Sequence, residues 1–96
     1  MTYLLTERCA DDFSGMYDHT LLTSGKAQAD EYAESLAEFF ETLSRMPRTG
    51  QDYSAVPGVM RADFQRQTVF YRVCDTHILI ARILPRQMDY PLHLTG

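Results

Sequence analysis

The chain has little cysteine, little proline or glycine, a single lysine and no long apolar run. Of its 96 residues, 2 are Cys, 4 are Pro and 5 are Gly. Cys9 and Cys74 lie too far apart for a C-x-x-C redox or zinc pair, and small secreted domains stapled by disulfides normally carry about four cysteines or more. A reduced, cytoplasmic setting is therefore expected. The scarcity of Gly and Pro, beside 45% hydrophobic and 11% aromatic residues, excludes collagen-like, low-complexity and disordered classes. Arg82 interrupts the longest aliphatic segment well short of the roughly 18 apolar residues that a membrane span needs. The opening MTYLLTERC does not read as a signal peptide, so a soluble protein is expected. His19, His77 and His93 belong to no H-E-x-x-H motif or Cys/His cluster, and neither a metal nor another cofactor is expected.

The one lysine, Lys26, belongs to an uneven charge distribution. The net charge of −4 argues against a domain that grips nucleic acid by bulk electrostatics. Residues 1–44 hold nine acids against two bases, a balance of −7, whereas residues 45–96 hold seven arginines against four aspartates, a balance of +3. Every base in the second half is Arg, whose planar fork suits bidentate contact with carboxylate or phosphate. Two readings follow: a solvated acidic helical face whose neighbouring sheet arginines pair with it, or a basic half that meets an acidic partner.

Tyr3 to Leu5 reads as a short strand, with Thr6 as the N-cap of a helix running to about Leu22. Ala10, Phe13, Met16, Tyr17, Thr20 and Leu21 recur at spacings of three and four along it. Gly25 breaks the pattern, and Ser24 is placed to cap a second helix, about Lys26 to Met46. That helix is the clearest periodic segment: Ala29, Tyr32, Ala33, Leu36, Phe39, Phe40 and Leu43 form one face, opposite Asp30, Glu31, Glu34, Glu38 and Glu41. Pro47 stops it, and the two helices should form an antiparallel hairpin.

Pro47 to Gly58 (PRTGQDYSAVPG) reads as a loop. The period then changes to two, predicting strands Val59–Gln65, Thr68–Cys74 and His77–Leu84 joined by turns short enough to require antiparallel pairing. In the first of these, Met60, Ala62 and Phe64 alternate with Arg61, Asp63 and Gln65, so one side is core and the other is open. HILIARIL, residues 77–84, is apolar on both sides, as for a central or doubly covered strand. The order β-α-α-β-β-β predicts one small α+β domain over residues 1–96, with a helical hairpin packed on a mainly antiparallel sheet and a short C-terminal tail.

No G-x-S-x-G elbow, P-loop or placed carboxylate pair is present, and neither cysteine has a base beside it in sequence. Arg61, Arg72 and Arg82 fall within strands and Arg66 and Arg86 at or beyond strand ends, but the sequence does not fix whether the strand arginines share a face. The tail RQMDYPLHL must dock on its own domain or on a partner.

These residues resemble the RelE/ParE superfamily of toxins from type II toxin–antitoxin modules, more closely its ParE branch. The resemblance rests on Thr6, Ala10, Asp12, Phe13, Met16 and Tyr17; on Ala27, Tyr32, Leu36, Phe40, Leu43, Pro47 and Gly50; and on Gly58-x-x-Arg61, VFYRV (Val69 to Val73), ILIARIL (Ile78 to Leu84), Met88-Asp89 and Leu94. It implies a non-enzymatic, plasmid-stabilising or growth-inhibiting toxin that poisons DNA gyrase, with Arg61, Arg86, Met88, Asp89 and Tyr90 as target contacts and no direct nucleic-acid binding. It also implies a hetero-oligomer with a ParD-like antitoxin that covers Tyr17, Leu21, Arg72 and Arg82. Two alternatives accompany it: a ribosome-dependent endoribonuclease of the RelE type using Arg61, Arg82 or His93, and an inactive toxin that only binds its antitoxin. Ribonuclease relatives carry a base early in the third strand, where this chain has Gln67 and Thr68. Where ParE proteins often read I-L-H-x-R-M-D, this chain reads ILPRQMD, with Pro85 for His and Gln87 for Arg; Pro85 is expected to end strand pairing.

Overall fold

The computed structural model describes residues 1–86. Its elements are β1 (Thr2–Leu5), α1 (Glu7–Ser24), α2 (Lys26–Arg45), β2 (Gln51–Asp52), β3 (Met60–Phe64), β4 (Gln67–Val73) and β5 (His77–Pro85). One five-stranded sheet has the order β1-β5-β4-β3-β2. β1 runs parallel to β5, with Thr2 opposite His77 and Leu5 opposite Ile80, and the remaining pairs are antiparallel. This is the expected α+β arrangement, with β5 central enough to explain its two apolar sides.

Thr6 makes the passage from β1 into α1. Its extended backbone and hydroxyl cap the helix by accepting from the Cys9 N–H at 3.1 Å. The same residue ties the helix start to β5: its N–H donates to the Ile80 carbonyl at 3.0 Å and its hydroxyl to the Ala81 carbonyl at 2.7 Å. α1 continues to Ser24, two residues past the predicted end, so Ser24 does not cap α2. Gly25 stands between the helices instead, with φ +89° and no side chain to offer, its N–H donating to the Leu21 carbonyl. The positive φ is what reverses the chain in one residue.

The main core lies between the hairpin and the sheet. Leu36, Phe40 and Leu43 from α2 and Cys9 from α1 meet Met60, Val69, Tyr71, Ile78, Ile80 and Ile83. Each fully buried large side chain contributes about 1.5–3 kcal/mol of hydrophobic stabilisation. The predicted α1 stripe is shifted: Cys9 is its buried member, Phe13 and Met16 are half-buried, and Ala10 is exposed. The sheet's other side carries a smaller cluster of Val59, Phe70 and Leu84, over which Tyr53 and Val56 fold.

Two departures from expectation concern the segment after α2 and the end of β5. The predicted loop contains β2, where Gln51 pairs with Arg61 and Asp52 with Met60. Two residues carry no readable period, so pairing decides the assignment. Pro85 does not terminate the ladder: it lies opposite Gln67, and the next N–H, from Arg86, reaches the Arg66 carbonyl at 3.2 Å. Proline is tolerated because the position's missing donor faces away from β4.

Candidate functional site

Strand register settles which arginines share a side. Arg61 lies opposite Phe70, and Phe70 opposite Arg82; Arg72 is two residues along β4 from Phe70. All three therefore start from the helix-free side, but they end in different places. A register shift between Phe70 and Tyr71 makes Ala81 an extra residue in β5. Just beyond it, Arg82 turns to α1, where its Nε and Nη2 donate to the Asp12 carboxylate at 2.8 and 2.9 Å. The Ile83 N–H donates to the same carboxylate at 3.0 Å. The two side chains are 16% and 15% exposed, which makes this a part-buried, bidentate pair. Hydrogen bonding to Asp12 holds the Arg82 guanidinium above its ordinary range.

Asp12 and Arg82 form one wall of a cleft of about 470 Å³ between α1 and the last residues of β5, also lined by Asp11, Met16, His19 and Tyr32. Tyr32 donates to Gln67 Oε1 at 2.8 Å, and burial pushes its hydroxyl up to about 12. Tyr32 was legible only as a helix-face aromatic; its hydroxyl's role follows from Gln67 arriving at the start of β4.

Arg61 and Arg86 meet on the helix-free side. Asp63, two residues from Arg61 on β3, presents Oδ1 to Arg61 Nη2 at 3.5 Å and Oδ2 to Arg86 Nη2 at 3.3 Å. Thr68, directly across on β4, donates its hydroxyl to Oδ1 at 2.9 Å. Arg61 also lies 5.8 Å from the centre of the Tyr53 ring. Arg72 is exposed and reaches the Pro57 carbonyl at 3.4 Å, beside Gly58 with φ +82°. Of the expected target contacts, Arg61 and Arg86 are thus brought together, while Met88, Asp89 and Tyr90, like His93 and Gln87, lie outside the described residues.

The expected antitoxin contacts are scattered. Tyr17 is half-buried and donates to Asp30 Oδ1 at 2.5 Å, while Lys26 holds the other oxygen at 2.6 Å, so this trio fastens α1 to α2. The hydrogen bond to Asp30 raises the Tyr17 hydroxyl, and those from Lys26 and Tyr17 lower the Asp30 carboxyl. Leu21 is exposed near the end of α1, beside the more exposed Leu22. Arg72 lies on the opposite layer, and Arg82 is committed to Asp12.

Neither cysteine is disulfide-bonded. Burial, with the Asp12 carboxylate adding to it, pushes the Cys9 thiol up to about 12, the reverse of an activated nucleophile. A thiol-specific reagent at pH 8 should label Cys74 in the native protein and spare Cys9 until denaturant is added; rapid loss of both thiols would contradict this burial. The raised Cys9 and Tyr32 groups also set an alkaline limit. Each keeps its proton more tightly when folded, so their stabilisation is complete below about pH 9 and is lost as pH rises toward 12. Unfolding titrations should show that decline, and Tyr32→Phe should make it shallower.

Among the described residues no group of three or more His, Cys, Asp or Glu is placed to hold a metal ion, and no helix is long and apolar enough to cross a membrane. The chain is an α+β domain with a helical hairpin packed on one side of a β1-β5-β4-β3-β2 sheet and arginines starting from the opposite side. The family model for ParE toxins of type II toxin–antitoxin systems, parDE, matches residues 3–90, and the chain belongs to that family. Among solved structures it is similar to the chromosomal ParDE toxin–antitoxin system from P. aeruginosa, at 25% identity and a TM-score of 0.77, covering 88% of this chain and 95% of that one. It is also similar in fold to a chain of the RelBE2 toxin–antitoxin complex from Mycobacterium tuberculosis, at 22% identity and a TM-score of 0.65, covering 88% and 96%. No curated protein sequence matches significantly.

Proposed function

We propose that the protein is a growth-inhibiting toxin that binds and poisons DNA gyrase without being an enzyme, and that a ParD-like antitoxin neutralises it in a cytoplasmic hetero-oligomer. The observation that carries this reading is the family match over residues 3–90. The site chemistry is consistent with it: Arg61 and Arg86 sit on a carboxylate that is itself hydrogen-bonded. The described histidines lie elsewhere, His19 in the α1–β5 cleft and His77 at the far end of β5 from Arg86.

In this reading Arg61 and Arg86, with Met88, Asp89 and Tyr90, contact the target. The antitoxin wraps an amphipathic acidic segment from Tyr17 and Leu21 on the hairpin round to Arg82 and to Arg72 on the opposite layer, ordering as it binds. Purified toxin should inhibit gyrase supercoiling or trap cleaved DNA complexes at micromolar concentration, and the double variant Arg61→Gln/Arg86→Gln should weaken the effect at least tenfold. Unaltered supercoiling at micromolar excess, together with new mRNA ends after induction, would replace this reading with a RelE-type ribonuclease.

A further inference from the structure

We infer that Asp63 is a specificity-determining residue: an internal anion that occupies Arg61 and Arg86 and so excludes phosphodiester backbones from the helix-free side of the sheet. The inference rests on the non-nuclease reading proposed above, since a ribonuclease using Arg61 would have to admit phosphate there. It starts from the arithmetic of charge, because the half of the chain that supplies this side has seven arginines and no lysine. Arginine forks are the groups that bind phosphate oxygens bidentately, and Arg61, Arg72 and Arg86 on this side would ordinarily attract a nucleic acid.

Three observations place a counter-charge on that side, at the β3–β4 turn end of the sheet. Pairing of Asp63 with Thr68 across the β3–β4 ladder fixes the carboxylate's position. The Thr68 hydroxyl, on a fully buried residue, donates to Oδ1 and holds its orientation. With both carboxylate oxygens directed at guanidinium nitrogens, one from β3 and one from just past β5, the two cations share one anion. A phosphate arriving here competes with Asp63 for the Nη2 groups of both arginines, while the carboxylate, held by Thr68, stays beside it. That arrangement costs a phosphate its ion pairs and adds a like charge within a few ångströms. A protein partner meets a different surface, of alternating charge, with polar groups already ordered for short hydrogen bonds.

Asp63→Asn tests the inference, because the amide keeps an oxygen for the Thr68 hydroxyl and removes only the charge. Binding of fluorescein-labelled oligouridylate and of a labelled DNA duplex is measured by anisotropy across a salt series. The wild-type chain should bind both weakly. Asp63→Asn should bind at least one of them about tenfold more tightly, with a log–log salt dependence steeper by about one for each guanidinium released. A gain confined to oligouridylate or to the duplex identifies which backbone is excluded. Glu34→Gln, which removes the same charge from the exposed side of α2, should leave affinity within about twofold. Adding Arg61→Gln and Arg86→Gln to Asp63→Asn should abolish the gain. Unchanged affinity of a folded Asp63→Asn protein for both probes, or an equal gain from Glu34→Gln, overturns the inference.

Discussion

Asp12→Ala should lower the unfolding free energy by about 2 kcal/mol, between the value of a surface bridge and that of a fully buried ion pair. The cost has two parts. Arg82 keeps its charge at a site where its side chain is 16% exposed, with both donated bonds to Asp12 gone. The Ile83 N–H loses its acceptor as well, and an orphaned buried donor is itself worth about 1–3 kcal/mol. Asp12→Asn, which retains an oxygen but no charge, should fall between the variant and the wild type. Urea or guanidinium unfolding curves measure the difference as a lowered midpoint at constant slope. A loss below about 0.5 kcal/mol would mean that water replaces the carboxylate and that the pair contributes no more than a surface bridge.

Gly50→Ala should cost about 2–3 kcal/mol, because the added Cβ would stand 2.5 Å from the Arg61 carbonyl oxygen and 2.5 Å from the Tyr71 hydroxyl. One of these neighbours is backbone in a paired strand, so the clash is relieved only by moving β2 or β3. The Tyr71 hydroxyl is fully engaged at this point: it donates to the Pro47 carbonyl at 2.8 Å and accepts from the Gly50 N–H at 3.1 Å. Burial of this tyrosine raises its hydroxyl above the ordinary range, so it remains a donor at neutral pH. Tyr71→Phe removes both bonds without the clash and should cost about 1–3 kcal/mol. Gly50→Ala should therefore be at least as damaging as Tyr71→Phe, and a neutral Gly50→Ala would show that the segment after α2 shifts freely. Since β2 borders Arg61, the same substitution should also weaken whatever Arg61 contacts.

The helices and four of the strands, β1, β3, β4 and β5, are legible from local pattern, and in β3 Met60, Ala62 and Phe64 alternate with Arg61 and Asp63 whatever lies beside them. What escaped the sequence depends on pairing. β2 has two residues, too few to repeat anything. The parallel register of β1 on β5 joins opposite ends of the chain, and no local pattern encodes it. Ser24 looked like a cap because its type suits one, but Gly25 reverses the chain where a side chain would be strained. The strand arginines could be named from sequence, yet Arg82 and Arg61 differ in fate because of one extra residue, Ala81, and one acid on α1. Asp12 entered only through family resemblance, and Asp63 was read as an exposed alternate position rather than as the residue two arginines share. The tail positions that resemblance singled out, Met88, Asp89 and Tyr90, lie beyond the described residues.

The parallel pairing of β1 with β5 also governs when this molecule folds. Thr6 and its partner Ala81 are 75 residues apart, and Cys9 and Asp12 likewise wait for β5 before they are buried or paired. At about 5–20 residues per second of synthesis, the N-terminal segment leaves the ribosome several seconds before the strand it needs. Until then β1 has no neighbour and the hairpin has only part of a sheet to pack on, so the tertiary structure closes only once β5 has been made. A truncated product ending before β5 lacks the partner of its own first strand, and premature termination yields an unfolded, protease-sensitive chain instead of an active fragment.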